Sequence, residues 1–449
     1  MENRTQIERT DSKMCHHTPI PWDKMCQNPN CTIKQADLKD KALIVGQIGM
    51  GMLSCGTGAW RIREAMNIIS AALGISCDAD IGLVNINYTC FDANSGESHS
   101  TSLTIPTSGV NTAKLSLLEE YIANFEFSSV NKTLHQISSE IENIEKTPIL
   151  YRPWQIGLAA GFACASFVFL LGGHPIAMLF AFLGAGAGSF TRAKLLAKKL
   201  MPLVAIAISV TVACTIYRIC VMISMPLLHL SAGHITGYIG AMLFVIPGFP
   251  LITSGLDLAK QDMRSGIERF FHALIVIIVA TIIGWMVASV LHLAPRDFTP
   301  MHLNTWLLLA LRLFFGFFGV FGFSIMFNST VKMAASAGII GTLANALRLA
   351  LIGQGMFPAP ATFIGAMTAG LLAVLFFKQT GFPRISLTVP SLVIMVPGLD
   401  MYKAFYYLGN VAVAPAALWI SKAIILAISL PLGLTVARVL TDPRWRSRN

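Results

Sequence analysis

Ten apolar segments follow one another along the C-terminal two thirds of the chain, and they restrict its fold more than any other feature. A helix needs about 20 mostly apolar residues to cross the hydrocarbon core of a bilayer. Backbone polar groups inside lipid must all find partners within the protein, which favours helices. The pattern therefore predicts ten spans, at 154–171, 175–191, 203–223, 232–251, 270–291, 304–327, 333–352, 359–377, 387–408 and 415–438.

The charges divide the chain near Arg152. Residues 1–150 hold 12 Lys and Arg against 17 Asp and Glu, whereas the remainder holds 21 against 6. In the remainder the basic residues fall in alternate loops, which is typical of loops on the cytosolic side. We therefore expect a multi-pass protein of the cell inner or plasma membrane with both termini in the cytosol, and we interpret Arg192 as a topology residue of the first basic loop. Basic and aromatic residues do not cluster, so no nucleic-acid partner is expected.

Two Pro-Gly pairs interrupt apolar segments at matching places, 150 positions apart. They are Pro247-Gly248 and Pro397-Gly398. Proline removes a backbone donor and clashes with the preceding helical turn, and glycine admits conformations that other residues avoid. The freed carbonyls and the N-termini of the half-helices can bind a zwitterion or an anion. Paired breaks favour a transporter's solute site, and a plain proline kink is the alternative at each position.

Other matches in the same order predict an internal repeat. His272 and Lys422 are also 150 positions apart, and Arg192 and Arg348 each precede a proline by ten residues. Because five spans is an odd number, the second half enters the membrane from the opposite face. The expected fold class is a membrane all-α protein with ten transmembrane helices in two inverted five-helix repeats, plus an N-terminal cytosolic α/β domain. The expected domains are a mobile tail at 1–33, the α/β domain at 34–150, and the repeats at 151–293 and 294–449.

The N-terminal domain has mixed helix and strand patterning. We expect one helix from about Gln35 to Leu73, ending at Gly74. Alternating apolar residues predict strands at Ile81–Tyr88 and Ser100–Ile105. Two further helices are expected at about Lys114–Phe125 and Lys132–Glu145.

The first 30 residues are polar, so we expect no cleavable signal peptide and a cytosolic location for this domain. Its cysteines are then expected to be reduced thiols. The tail holds a loose group of Cys15, His16, His17, Cys26 and Cys31. This group lacks the paired C-x-x-C spacing of structural zinc sites. We interpret it as part of a mobile tail and predict no metal and no cofactor.

Four stretches of the chain resemble the threonine/serine exporter family. They are Cys55–Ile62, Gly184–Gly188, Val245–Ile252 and Val389–Gly398, and the resemblance runs from about Leu38 to Leu440. It implies proton-motive-force-driven export of a small hydrophilic metabolite, which is threonine or serine in one branch and succinate in a two-component branch. Gly58 stands where the family's common Ser-Gly-Ala-Glu-Thr pattern has its glutamate, so a role for that carboxylate does not carry over.

Three charged residues near the breaks are candidates for proton coupling. Asp400 and Lys403 lie three apart on one helix face, and Asp257 follows the first break. Charges at membrane depth are costly and are usually paired or line a cavity. Asp400 is the first candidate, and a structural ion pair with Lys403 is the alternative. For Asp257 the alternative is a solvated loop residue.

Further polar residues are candidates for contact with the solute. Arg218, Arg312 and Arg348, the last beside Asn345, can contact a carboxylate through the planar guanidinium, or they can reach the lipid headgroups. Thr253 and Ser254 follow the first break and can donate hydroxyls to a solute or to their own helix. We interpret His174, His229 and His234 as solvated turn residues.

These features favour a secondary transporter over two alternatives of other classes. A membrane-anchored enzyme would need a catalytic motif, and the chain contains no G-x-S-x-G, H-E-x-x-H or P-loop sequence. A channel or sensor gated by the N-terminal domain is the second alternative. The expected partners are the lipid bilayer and a small-molecule solute, and a homo-oligomer is compatible with the sequence.

Overall fold

The computed structural model describes residues 31–106, 108–129, 131–228, 236–296 and 303–446, together with Ile20, Trp22 and Phe298. Within these residues the chain divides into two units. The first contains Arg61–Gly109, Leu117–Thr147 and the described part of Met1–Gly56. The second contains Thr57–Trp60, Val110–Ser116 and the chain from Pro148 onward. Cys15, His16, His17 and Cys26 of the Cys/His group in the tail lie outside the described residues, as do His229 and His234.

The described residues of the N-terminal part fold into four α-helices and one three-stranded antiparallel sheet in the order β1-β2-β3. One face of the sheet is buried through alternating residues such as Ala79, Ile86 and Leu103. Tyr88 on the same face donates its hydroxyl to the carbonyl of Ala42 at 2.9 Å. The elements are α1 Leu38–Ser54, α2 Ala59–Ala72, β1 Ser76–Ile81, β2 Asn85–Phe91, β3 Ser98–Thr104, α3 Thr112–Ser128 and α4 Leu134–Glu145.

Two expectations for this part are wrong. The single helix from Gln35 to Leu73 is two helices, because the chain turns at Gly56, whose φ of +74° favours glycine. The strand expected at Ile81–Tyr88 joins the end of β1 to the start of β2, across a turn in which Gly82 N–H donates to Asn85 O. Asp78 and Asp80 are exposed on β1. Because these charged residues occupy its exposed face, the pattern of alternating apolar residues did not predict this strand.

The second unit contains the membrane-spanning helices. Eight described helices are long and apolar enough to cross a membrane, and two bent pairs raise the number to ten if each pair is one span. Each of the ten expected segments coincides with one of them. The helices are α5 Pro153–Leu170, α6 Pro175–Ala197, α7 Pro202–Leu228, α8 Gly237–Met242, α9 Gly248–Ala259, α10 Met263–Val290, α11 Thr305–Met326, α12 Val331–Gly353, α13 Pro358–Thr380, α14 Arg384–Leu392, α15 Gly398–Gly409 and α16 Val413–Thr441.

Small residues let these helices approach closely, as the glycines of α6 predict. A Cβ on Gly184 would lie 2.7 Å from the carbonyl oxygen of Ala213, and one on Gly188 would lie 2.7 Å from that of Ser209. Any larger side chain at these two positions would push α6 and α7 apart. This packing holds α6 beside the first Pro-Gly break, because a Cβ on Gly188 would also meet the Phe244 ring at 3.0 Å.

Candidate functional site

The two Pro-Gly breaks have the same local geometry. Pro247 has φ −81° and ψ 63°, and Pro397 has φ −77° and ψ 52°, which is the inverse γ-turn. In each, the glycine N–H donates to the carbonyl two residues earlier at 2.8 Å. A 3₁₀ turn precedes each proline, at Leu243–Val245 and Val393–Met395. The axes bend by 59° at the first break and by 47° at the second, so both segments are broken helices, as expected.

The breaks pack directly against each other, and the contacts are reciprocal. A Cβ on Gly248 would meet Val396 at 3.2 Å and Val393 at 3.5 Å. A Cβ on Gly398 would meet Leu243 at 2.8 Å and Ile246 at 3.5 Å. These four residues line a void of about 10 Å³ with both glycines and with Phe167 and Phe323. The surface between the breaks is therefore apolar and closed.

This packing corrects the expected role of the two glycines. Neither Gly248 nor Gly398 is among the glycines with positive φ, so unusual backbone conformation does not explain them. Each instead begins a helix at a point where a Cβ would lie 3.2 Å (Gly248) or 2.8 Å (Gly398) from the nearest side-chain atom of the other break. The breaks themselves meet in this apolar contact, and the cavity that holds polar side chains lies beside the second break.

A cavity of about 230 Å³ with several polar side chains in its wall lies beside the second break, far above the roughly 10–15 Å³ that one water needs. Its wall includes Pro397, Asp400, Asn345 and Arg348. Arg348 Nη1 donates to the carbonyl oxygen of Met395, in the 3₁₀ turn, at 3.4 Å. Arg348 Nε and Asn345 Oδ1 are buried and have no hydrogen-bond partner among the described residues. The cavity wall thus contains a donor and an acceptor that lack protein partners among the described residues.

The charges of the cavity come from the second half of the chain. Lys422 Nζ lies 3.1 Å from Asp400 Oδ1. The two cations Lys422 and Arg348 and the one anion Asp400 give the cavity wall a net formal charge of one positive unit. The Lys403 side chain is 4% exposed and places Nζ 4.3 Å from the centroid of the Trp419 ring. Our sequence reasoning missed Lys422 as a site residue, although a lysine inside an apolar span is itself a signal of function.

Other candidates from the sequence lie outside this cavity wall. Thr253 Oγ1 donates to the carbonyl of Phe249 at 3.1 Å, and Ser254 Oγ donates to that of Leu251 at 2.8 Å. Both hydroxyls therefore bond within their own helix, which was the alternative to solute contact. Arg218 is half-buried on α7. Pro247 lies in the turn before α9 and is not among the residues that line the cavity.

Asp257 forms a second polar centre and is not a solvated loop residue, because it is fully buried. Its Oδ1 accepts from the Ala59 N–H at 3.0 Å, and its Oδ2 accepts from the Ser265 hydroxyl at 3.0 Å. Arg269 Nε lies 3.4 Å from Oδ2. A Cβ on Gly58 would come within 2.7 Å of Oδ1. The glycine at position 58 thus leaves space for the Asp257 carboxylate.

Comparison with known proteins covers both halves of the chain. A family profile described as "Putative threonine/serine exporter" matches residues 43–292, and one described as "Threonine/Serine exporter, ThrE" matches residues 312–440. The probable succinate transporter subunit YjjP of Escherichia coli is 24% identical over 181 residues, 40% of this chain and 60% of that protein.

Its counterpart in Klebsiella aerogenes is 25% identical over 181 residues, 40% of this chain and 59% of that protein. The match thus spans about three fifths of the length of these curated relatives. No solved structure matches the chain. The profile matches cover the broken helices and the cavity described above, and the chain belongs to the threonine/serine exporter family.

Proposed function

We propose that the protein is a secondary transporter that exports a small hydrophilic metabolite with a carboxylate group, such as threonine or serine, driven by the proton motive force. One observation carries the proposal. A half-buried arginine and a buried asparagine in the wall of a cavity beside a broken helix each have a buried polar atom without a hydrogen-bond partner among the described residues. In this proposal the solute carboxylate binds Arg348, whose planar guanidinium matches its geometry, and Asn345 Oδ1 accepts a hydrogen bond from the solute.

The charges around Asp400 support an amino acid as the solute. Lys422 places an ammonium 3.1 Å from the Asp400 carboxylate, which is where the ammonium of a zwitterion would bind. The solute and Lys422 then compete for the same carboxylate. A dicarboxylate such as succinate is the second candidate. The two cations Arg348 and Lys422 favour it, and the curated relatives are named as succinate transporter subunits.

Asp400 is the proposed proton-coupling group. It lies in the first turn of α15, in the wall of the cavity. Protonation of Asp400 would release Lys422 and change the charge that the solute meets, so that proton binding and solute binding affect each other. Such coupling gives proton-driven antiport. Lys403 and Asp257 remain candidates for a part in the proton path.

The proposed architecture is ten spans in two inverted repeats, at 151–293 and 294–449. Bends of 59° and 47° are well short of a reversal of direction, which supports a broken span at each pair. The reciprocal contacts of residues 243, 246 and 248 with residues 393, 396 and 398 support a two-fold relation between the halves. The membrane is proposed to be an inner or plasma membrane. The 1–33 tail, the α/β domain at 34–150 and both termini are assigned to the cytosol, because basic loops are typical of the cytosolic side.

The function can be tested with the purified full chain in proteoliposomes loaded with labelled threonine, serine or succinate. Efflux that follows an imposed pH gradient supports a proton-coupled exporter, and efflux indifferent to it indicates a channel. Arg348→Gln should raise the KM for the transported solute about tenfold or more, because a charged hydrogen bond contributes about 1.5–3 kcal/mol. Arg348→Lys should have an intermediate effect. Arg312→Gln is the matched control, since Arg312 is an intramembrane arginine outside the cavity wall.

An unchanged KM in Arg348→Gln would contradict the assignment of the site. Chemical turnover of any of these solutes by the full chain, without transport, would favour the alternative of a membrane-anchored enzyme. A homo-oligomer is compatible with both transport candidates.

A further inference from the structure

Arg192 occupies the position in the first half that Arg348 occupies in the second. Gly184, Gly188 and Arg192 follow one another at intervals of four on α6, so they share a helix face. That face lies against the first break, because a Cβ on Gly188 would meet Phe244 Cζ at 3.0 Å. Arg192 is one turn further along. Arg348 likewise lies on the face of α12 that reaches the second break, through its bond to Met395.

The two arginines also share a feature that, among the described arginines, only Arg384 has as well. The Nε atoms of Arg192 and Arg348 are both buried, and neither has a hydrogen-bond partner among the described residues. A topology residue is expected to place its guanidinium in water or among headgroups. Lys194 and Lys198 on the following turn are exposed, as that role requires, whereas Arg192 is half-buried. The interpretation of Arg192 as a topology residue therefore does not account for its environment.

The space beside Arg192 differs from the space beside Arg348. The cavity at the second break is lined by Leu171 and Leu399. In the proposed two-fold relation Phe327 and Phe249 are the equivalent residues of the other half, because Phe249 and Leu399 are 150 positions apart, like the breaks, and Leu171 and Phe327 are 156 apart, like the two arginines. These two rings pack edge to face with their centroids 5.4 Å apart, and Phe249 is 1% exposed. An aromatic pair thus fills the volume beside the first break that corresponds to the open cavity beside the second break.

We propose that Arg192 is a second arginine for the solute carboxylate, used in the alternate state of the transport cycle. In that state Phe249 and Phe327 separate, a cavity opens beside the first break, and the cavity at Arg348 closes. The solute passes from one arginine to the other across the apolar contact of the two breaks. This inference rests on the proposed function and on the two-fold relation, and it adds a solute-binding residue at the end of the molecule that carries the basic loops.

A reducible cross-link between the two phenylalanine positions tests the closed half. The double variant Phe249→Cys/Phe327→Cys should be cross-linked by a bifunctional methanethiosulfonate, whose spacer occupies the volume of the two rings that are in contact. The cross-linked protein should bind labelled threonine or succinate, whichever the unmodified protein transports, with unchanged affinity. It should transport neither, and a reductant that cleaves the reagent from both cysteines should restore transport. Unmodified chain treated with the same reagent is the control for its native cysteines.

Several results of this experiment would overturn the inference. They are failure to cross-link, normal transport by the cross-linked protein, and loss of solute binding on cross-linking. Failure of the unmodified chain to transport threonine, serine or succinate would instead count against the proposed function, so the two failures are distinguishable.

The sidedness of arginine variants gives the second test. In vesicles sorted by orientation, Arg192→Gln should raise the KM about tenfold or more for solute supplied from the basic-loop side. It should leave the KM from the other side within about twofold, and Arg348→Gln should show the reverse preference. Arg192→Lys should recover part of the loss. Lys194→Gln, on the exposed neighbouring turn, is the matched control. Equal effects from both sides would indicate a merely structural arginine and refute the proposal.

Discussion

Loss of the Asp257 carboxylate should destabilise the second unit more than loss of any exposed carboxylate. Asp257 is fully buried and its partner Arg269 is 3% exposed. The carboxylate also accepts hydrogen bonds from the Ala59 N–H and the Ser265 hydroxyl, both at 3.0 Å. Asp257→Asn keeps the shape of the side chain but removes its charge. Arg269 then remains buried beside a neutral group.

The size of the effect follows from these contacts. Removing one partner of a buried ion pair costs about 3–5 kcal/mol, because the other charge is left uncompensated. We therefore expect Asp257→Asn to lower the free energy of unfolding by about 3–5 kcal/mol. The double variant Asp257→Asn/Arg269→Gln should lose less than the single variant, because it leaves no buried charge alone.

Reversible unfolding in mixed micelles, followed by circular dichroism against the fraction of denaturing detergent, measures this free energy. Glu268→Gln is the control on α10, because the Arg264–Glu268 pair is about as short, at 3.2 Å, but is 40% and 37% exposed. An exposed pair of this kind contributes about 0.3–0.5 kcal/mol. A loss in Asp257→Asn no larger than that in Glu268→Gln would refute the role of the buried pair.

Three further predictions follow from single contacts. Gly188→Val should destabilise the protein by about 1–3 kcal/mol, because its Cβ would lie 2.7 Å from the backbone carbonyl oxygen of Ser209. Gly186→Ala should be close to neutral in the same unfolding assay, because the nearest atom to its Cβ is 3.4 Å away. Tyr238→Phe removes the donor of the buried 2.9 Å bond to the Tyr402 hydroxyl and should cost about 1 kcal/mol; no measurable loss would contradict this. The hydrogen bond from Cys90 lowers the pKa of the Cys77 thiol and raises the pKa of the Cys90 thiol. Cys77 therefore holds more thiolate than Cys90 at pH 7.5. Mass spectrometry after iodoacetamide should find Cys77 alkylated before Cys90, and the reverse order would contradict the assignment.

The membrane helices and their breaks were predictable because lipid imposes strict rules on sequence. Each span needs a long apolar segment, and each Pro-Gly pair inside one interrupts its backbone hydrogen bonds. The bends at Pro247 and Pro397 therefore follow from local residues alone. The N-terminal sheet follows weaker rules, because a strand with one exposed face can carry charges. Asp78 and Asp80 on β1 are such charges.

The choice of partners for buried charges was not predictable in the same way. Helical spacing places Lys403 on the same face of α15 as Asp400. The spacing does not predict which residues of the next helix, α16, lie nearby, and it is Lys422 of α16 that pairs with the Asp400 carboxylate. Asp257 and Arg269 lie on α9 and α10, and they meet only because a tight turn folds these helices together. Such pairs depend on tertiary packing, and one sequence without relatives does not encode them in any short pattern.

In the proposed repeat the two halves differ in their chemistry, and this difference bears on the proposed proton coupling. Positions related by the 150-residue offset carry Asp400 and Pro250 in one case, and Lys422 and His272 in another. The ionisable pair of the cavity thus has no copy in the first half, although an arginine recurs at 192 and 348, each ten residues before a proline. In the proposed transport cycle the solute meets an arginine in either state. The proposed proton-coupling carboxylate belongs to one half only, so the two states of that cycle would differ in proton affinity, and a transporter needs such a difference to convert a proton gradient into directed export.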